Sequence, residues 1–308
     1  MNVPRLVSAE ELDARLEWNG LLDAMEAGHR LPRARIADLH FPMGANGLLN
    51  RAAWIEGMGS GLKTVSVYPD NERRLPALPT VQGVFVLFED ETGAVRAVID
   101  GAALTRWKTA ADSVLGARRL ARRDAHTLLL VGAGTISRTL ATAYRAVFPS
   151  IGRLLIWNRT FARARDLARQ TGGEAIEDLA AAVGQADIVS CATISSTPVL
   201  RGAWLRPGTH VDLIGAFKPS MREADDEVLQ RGRLFVDARE TTIDEIGELM
   251  IPIAERVISA ADVLGDHYDL AAGCSGRTDR EQITVFKNGG GAHLDLMTAH
   301  HAMNLLGN

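Results

Sequence analysis

The sequence predicts an α/β protein of two parts: a doubly wound, Rossmann-type domain and a mainly antiparallel α+β domain. Three observations predict this. From 127 to 238 short apolar runs alternate with helical patterns or short connectors, as βαβ units with a parallel sheet require. Before residue 118, strand-length runs instead alternate apolar and polar positions and are joined by turn-rich pieces, which suits an antiparallel sheet. Finally, 308 residues of 46% hydrophobic composition can bury a large core and favour two domains over one. The expected boundaries are 1–118, completed by about 285–308, for the substrate and dimerisation domain and 119–284 for the dinucleotide-binding domain.

Taken in order, GLKTVSVYP (61–69), GVFVLFED (83–90) and AVRAVIDG (94–101) are the strands of the first domain, with turns at Pro69-Asp70-Asn71 and Glu91-Thr92-Gly93. Residues 109–123, TAADSVLGARRLARR, contain few breakers and form the expected linking helix. TLLLV, RLLIW, DIVSCAT, HVDLIG and RLFVDA are the parallel strands, with helical patterns at 135–147, 161–170 and 222–230. ITVFKNGGGAHLDLMTAHHAM then adds a strand, a Gly-rich turn and a final helix. There is no internal repeat and no low-complexity linker.

Charge narrows the function. The 34 basic and 38 acidic residues leave a formal net charge of −4 without long runs of one sign, so nothing points to nucleic acid or a membrane surface. MNVPRLVSAEELDARL carries charges where a signal peptide needs an apolar core, and no stretch of about 18 apolar residues occurs, so a cytoplasmic protein is expected. Cys191 and Cys274 are the two cysteines; they make neither a disulfide framework nor a Cys-rich metal spacing, and reduced thiols are expected.

Two stretches carry chemistry. In LLLVGAGTIS, Gly132 and Gly134 end a strand and open a helix, so backbone can approach a pyrophosphate and the helix N-terminus can face its charge. Ser137 stands where G-x-G-x-x-G has its third glycine. The second stretch, LLIWNRT, ends a strand near where an acid would bind the ribose 2′-hydroxyl of NAD. Asn158, Arg159 and Thr160 offer no carboxylate; a guanidinium and two neutral groups suit a 2′-phosphate. NADP(H) is therefore the preferred cofactor, with NAD(H) possible. The alternative is a tight strand–helix turn at Gly132 and Gly134 and a solvated Arg159.

Seven ordered blocks, GLKTVSVYPDN, LPALPTVQGVFVLFEDETG, DGAALTRWKTAADS, VGAGTIS, IWNRT, GTHVDLIGAFKPSMREAD and ITVFKNGGGAHLD, extend over nearly the whole chain. In these the sequence resembles the ornithine cyclodeaminase/mu-crystallin family. The resemblance implies a dinucleotide-binding domain plus a substrate domain that also forms a homodimer. It assigns Lys63 to the substrate carboxylate and to proton transfer, and places Lys108 where the family usually has a carboxylate-anchoring arginine. A lysine is a point charge without the bidentate fork, so anchoring is expected to be looser or to be shared with Lys63. It further implies that Thr109, Thr135, Ile136, Thr193, Ile214 and Lys287 contact the cofactor. Thr80 and Gln82 fall near the nicotinamide and substrate. Arg33 and Arg35 compete as a substrate arginine, with Arg35 preferred. The Gly289–Gly291 turn, flanked by Lys287 and Asp295, falls near the nicotinamide.

One departure selects a branch. Cyclodeaminases carry a proton-handling aspartate where this chain has Phe217, whose ring is neither acid nor base. The mu-crystallin-like branch, which reduces imino acids, lacks that aspartate and ends its second strand in a similar Asn-Arg-Thr. The expected activity is NAD(P)H-dependent reduction of small, often cyclic, α-imino acids such as pyrroline- or piperideine-2-carboxylate. The alternatives are a cyclodeaminase converting ornithine to proline and ammonia with NAD, and a non-enzymatic NADPH-binding or small-molecule-binding protein. His293, His300 and His301 surround the last helix and His267 is expected in a polar loop, without metal-ligand spacing. Asp225, Asp226 and Glu227 suit a helix N-terminal face. Trp54, Trp107, Trp157 and Trp204 are assigned to core or interface packing, with Trp107 a candidate for the substrate pocket.

Overall fold

The computed structural model describes residues 3–307, the side chain of Glu72 excepted. The chain runs through β1 (Arg5–Val7), α1 (Ala9–Arg15), α2 (Trp18–Gly28), β2 (Arg35–Met43), β3 (Asn46–Ile55), β4 (Gly59–Val67), β5 (Val81–Phe88), β6 (Val95–Asp100) and α3 (Gly101–Leu120). It continues with β7 (Thr127–Val131), α4 (Thr135–Val147), β8 (Arg153–Trp157), α5 (Phe161–Thr171), β9 (Glu174–Ala175), α6 (Leu179–Val183), β10 (Ile188–Cys191) and β11 (His210–Leu213). Then follow α7 (Asp226–Arg231), β12 (Gly232–Val236), α8 (Arg239–Thr242), α9 (Gly247–Ala254), β13 (Val263–Gly265), α10 (His267–Ala271), β14 (Ile283–Lys287) and α11 (Ala292–Leu306). Two compact units result, Met1–Lys108 with Gly291–Asn308, and Thr109–Gly290. The division thus falls after Lys108 and Gly290, not near 118 and 285. The reason is packing: Gly116 of α3 lies against the Phe286 ring, 2.8 Å from where a Cβ would stand, and all of β14 pairs within the second sheet.

Unit 1 holds one sheet in the order β1-β6-β5-β4-β3-β2. β1 is parallel to β6 and the other pairs are antiparallel. A capping box starts α1: Glu11 N–H donates to Ser8 Oγ, and the Glu11 side chain accepts from Ser8 N–H, which satisfies two otherwise orphaned donors. α11 packs on β3, β4 and β5, and Ala53, Ile55, Lys63, Val65, Phe85 and Leu87 are buried. Because side chains alternate along a strand, the opposite face presents Leu39, Phe41, Met43, Leu48 and Trp54, all exposed. The β2–β3 hairpin has no counterpart among the expected strands.

Unit 2 is an eight-stranded sheet, β13-β12-β14-β11-β10-β7-β8-β9, with every pair parallel. β7, β10, β11 and β14 are buried along their whole length, which suits their largely apolar character; His210 and Asp212 in β11 and Thr284 and Lys287 in β14 are buried polar residues. Each fully buried Leu or Val contributes about 1.5–3 kcal/mol. The strand order proceeds from β7 to β8 and β9, then resumes on the other side of β7 with β10. That reversal is the switch point at which open α/β sheets bind ligands. Helices 135–147 and 161–171 match the sequence pattern closely. The helix expected at 222–230 starts only at Asp226, with Asp225 as its cap accepting from Val228 N–H. The helix expected at 109–123 begins at Gly101. Among the described residues no helix is long and apolar enough to cross a membrane.

Candidate active site

In unit 2 the turn after β7 is shaped for a phosphate. Gly132 has φ +112° and donates its N–H to Trp157 O at 2.8 Å. A Cβ there would lie 2.6 Å from Ala192 O, so glycine is required. Gly134 caps α4, and a Cβ on it would meet nothing within 4 Å. Thr135 and Ile136 form the first turn of α4, whose leading N–H groups lack intrahelical acceptors. Ser137 Oγ is buried without a hydrogen-bond partner among the described residues. Open space, free N–H groups and a buried hydroxyl fit a dinucleotide pyrophosphate. After β8, Asn158 Nδ2 donates to Thr160 O at 3.0 Å, Arg159 is exposed, and Thr160 leads into α5.

The next two strand ends are tied together by a residue that sequence reasoning missed. Glu223 Oε1 accepts from both Thr193 N and Thr193 Oγ1 at 2.7 Å, and its Oε2 accepts from Gly215 N at 2.5 Å. Gly215 lies so close that a Cβ would stand 1.7 Å from Thr193 O. Ile214 N–H donates to Cys191 O, completing the junction of β10 and β11. Glu248 accepts in turn from the N–H groups of Glu223 and Ala224 at 2.8 and 3.0 Å. Burial, and then the charge of Glu248, push the Glu223 carboxyl up to about 7, against the pull of Lys287 and the Thr193 donors. An acid in a loop between strands carries no local signal for such a role.

The resemblance places Lys287 at the cofactor; its side chain is engaged within the fold. It is fully buried, and its Nζ donates to Leu213 O, Ala216 O and Asn288 O at 2.9, 2.9 and 2.8 Å. An ammonium has three protons, and all three are engaged. Its work is to bind the end of β11 to the Gly-rich turn. Asn288 Nδ2 fixes that turn to Thr109 O at 3.1 Å and Ser113 Oγ at 3.0 Å, and Gly290 N donates to Asp237 Oδ2 at 2.6 Å. His267 is likewise not in a polar loop: it is buried at the start of α10, Nε2 2.7 Å from Asp112 Oδ1.

Unit 1 contributes a charged cluster. β4 points Lys63 to the helix-covered face, where Nζ lies 2.7 Å from Asp295 Oδ2, the two side chains 6% and 0% exposed. Lys108, buried in α3, acts on the same carboxylate, as does Arg51. Burial alone would raise the Asp295 carboxyl, but the Lys63 and Lys108 charges, the Lys63 hydrogen bond and Arg51 hold it below its ordinary value. Arg51 pairs with Lys63 in register and donates to Asp38 Oδ2 at 2.8 Å. Lys63 and Lys108 thus bring two cationic side chains to one buried carboxylate. Trp107 packs rather than lines: its ring lies 4.1 Å from that of Trp18 and its Nε1 donates to Asp13 Oδ1 at 2.6 Å, which anchors the turn bearing Lys108.

Arg35 and Gln82 are not brought to the lysines. Arg35 pairs with Trp54, three positions from the Arg51–Lys63 pair and hence on the opposite face; it is exposed, 5.9 Å above the Trp54 ring. Gln82 pairs with Ser66 on that same face, and its Nε2 points to Pro79 O. Arg33 is exposed. Thr80 precedes β5 and accepts from Tyr68 N–H through its carbonyl. Phe217 is 58% exposed. Arg51 is the arginine that register places beside Lys63.

The profile of the ornithine cyclodeaminase/mu-crystallin family matches residues 51–304. The Delta(1)-pyrroline-2-carboxylate reductase of Paracoccus denitrificans is 50% identical over 311 residues, 99% of this chain and 98% of its own. Among solved structures, Thermococcus litoralis Delta(1)-pyrroline-2-carboxylate reductase in complex with NADH and L-proline has a TM-score of 0.89 at 27% identity, covering 98% of this chain and 97% of its own. An archaeal alanine dehydrogenase dimer with bound NAD has the same TM-score and identity, covering 98% and 95%. With a match over most of its length and half of its residues shared with a curated relative, the chain belongs to the ornithine cyclodeaminase/mu-crystallin family and groups within it with the imino acid reductases.

Proposed function

We propose that this protein reduces the C=N bond of small, often cyclic α-imino acids, of which pyrroline-2-carboxylate and piperideine-2-carboxylate are the leading candidates, with NADPH as the preferred reductant. The observation that carries the reading is the buried Lys63–Lys108–Asp295 cluster, whose two lysines are the cationic groups to receive a substrate carboxylate. The 50% identical relative bears the name of the same reaction. When bound, the reduced nicotinamide supplies a hydride to the imine carbon. The residues of the Gly132–Ile136 turn would hold its pyrophosphate, and Arg159 the 2′-phosphate. Lys63 and Lys108 hold the substrate carboxylate, and the Lys63 ammonium is a proton source for the imine nitrogen. Burial of both lysines excludes water, which strengthens their attraction for the anion.

Phe217 favours reduction over cyclodeamination, since an aromatic ring at that position offers no acid or base for oxidising an amine. A substrate panel with NADPH, NADH and NAD tests the assignment by cofactor absorbance and ammonia release. The expected outcome is oxidation of NADPH with pyrroline- or piperideine-2-carboxylate and no ammonia from ornithine. Steady ornithine-dependent ammonia release would restore the cyclodeaminase reading.

A further inference from the structure

We propose that Glu223 is a positioning residue for the nicotinamide half of the dinucleotide: it ties the loops after β10 and β11 into one shelf and takes up the hydroxyl proton of Thr193, which leaves Thr193 Oγ1 to meet the ligand as an acceptor. The inference rests on the proposed dinucleotide site. In a doubly wound sheet a dinucleotide lies across the switch point, with one half on each side. Arg159 follows β8 on one side of that point and β10 and β11 lie on the other, so the ends of β10 and β11 fall to the nicotinamide half. There Glu223 Oε1 accepts from Thr193 N and Thr193 Oγ1, both at 2.7 Å, and Oε2 accepts from Gly215 N at 2.5 Å. A hydroxyl has one proton and two lone pairs. With the proton given to a carboxylate, the Thr193 oxygen can only accept from a ligand, and a nicotinamide riboside presents donors to it in its carboxamide NH2 and ribose hydroxyls. The shelf is held from behind: Glu248 accepts from Glu223 N and Ala224 N at 2.8 and 3.0 Å, Lys287 Nζ donates to Ala216 O, and the N–H groups of Met221 and Gly247 donate to Lys218 O. Just beyond Thr193 and Gly215, Ile194 and Phe217 are 86% and 58% exposed, apolar surface of the kind that lines ligand sites. Backbone bonds such as that from Ile214 N to Cys191 O suffice to join two loops, and a buried carboxylate is an unfavourable way to do the same. The polarity it imposes on Thr193 is what backbone bonds would not supply.

Calorimetric titration with two pairs of probes tests this: NADPH with adenosine 2′,5′-bisphosphate, and NADH with ADP, the second of each pair lacking the nicotinamide half. Glu223→Gln sets an amide NH2 against a donor in one loop or the other, because the three donors then meet a single carbonyl oxygen. In Glu223→Gln and in Thr193→Val the whole dinucleotide should bind about tenfold more weakly, while the half-cofactor binds within about twofold of wild type. Thr193→Ser keeps the hydroxyl and should bind both as the wild type does. The double variant Glu223→Gln/Thr193→Val should lose less than the product of the two single losses, because both changes remove the same acceptor from the ligand. Equal losses for dinucleotide and half-cofactor in folded Glu223→Gln overturn the proposal, as do unchanged dinucleotide binding and a double variant that loses the full product. If Glu223→Gln does not fold by circular dichroism, Glu223→Asp, too short to reach both loops, takes its place under the same outcomes. Should that fail to fold as well, Thr193→Val decides: a loss confined to the dinucleotide and absent from Thr193→Ser supports the role, and wild-type affinity overturns it. A wild-type protein that binds the dinucleotides yet reduces none of the imines overturns the proposed substrate alone; one that binds neither dinucleotide overturns both.

Discussion

Arg159 is the residue on which cofactor choice turns. It is exposed after β8, and neither Asn158 nor Thr160 offers a carboxylate that would favour a free ribose. Arg159→Ala should weaken NADPH binding by about 1–3 kcal/mol, the value of charge-assisted hydrogen bonds to a phosphate, and leave NADH nearly unchanged. Fluorescence titration of both cofactors measures this, and equal losses for both would remove Arg159 from the 2′-phosphate. NADH and NAD are the nucleotides in the solved neighbours, so measurable NADH binding is compatible with the prediction while an NADH preference is not. At this scale residue type was legible in the sequence and facing was not. Lys63 and Lys108 could be picked out from their blocks, whereas the sequence offered Arg33 and Arg35 as the substrate arginine, and only the strand register brings out Arg51, opposite Lys63.

At the scale of elements, legibility followed burial. β7 and β10 are buried along their whole length and read as nearly continuous apolar runs. β2 is an edge strand that contains Pro42 and turns Leu39, Phe41 and Met43 outward, so neither its pattern nor its proline resembles a core strand. The junction of β10 and β11 was hidden for another reason: Glu223 reaches Thr193 and Gly215 through space, and no local pattern encodes that. Its titration gives a test. A carboxyl whose pKa rises from 4.5 in the unfolded chain to about 7 in the folded one binds its proton more tightly when folded. Stability at this site is therefore greatest below pH 4.5 and falls as pH rises through 7, by about 3 kcal/mol at most. Thermal melts from pH 5 to 8 should show a loss in the wild-type protein that Glu223→Gln reduces. Identical slopes in the two proteins would mean that Glu223 is ionised throughout, held so by its three donors.

At the scale of the whole molecule, the outer face of the unit 1 sheet is the feature that a single chain leaves unexplained. Leu39, Phe41, Met43, Leu48 and Trp54 are 54%, 49%, 62%, 39% and 55% exposed, and the strand register puts them on one face. Contiguous apolar surface of this kind marks an interaction site on a soluble protein, and a self-complementary patch closed by a two-fold axis is the commonest way to cover it. A dimer is the assembly named for the archaeal alanine dehydrogenase neighbour, and we propose the same for this chain through this face. Light scattering at micromolar concentration should return twice the chain mass. Phe41→Glu together with Trp54→Glu should shift the protein toward monomer, because each places a charge in a surface that pairing would desolvate. NADPH binding, which depends on unit 2, should persist in that variant. A wild-type monomer at those concentrations would exclude the dimer, and a variant that remains dimeric would move the interface to another surface of the chain.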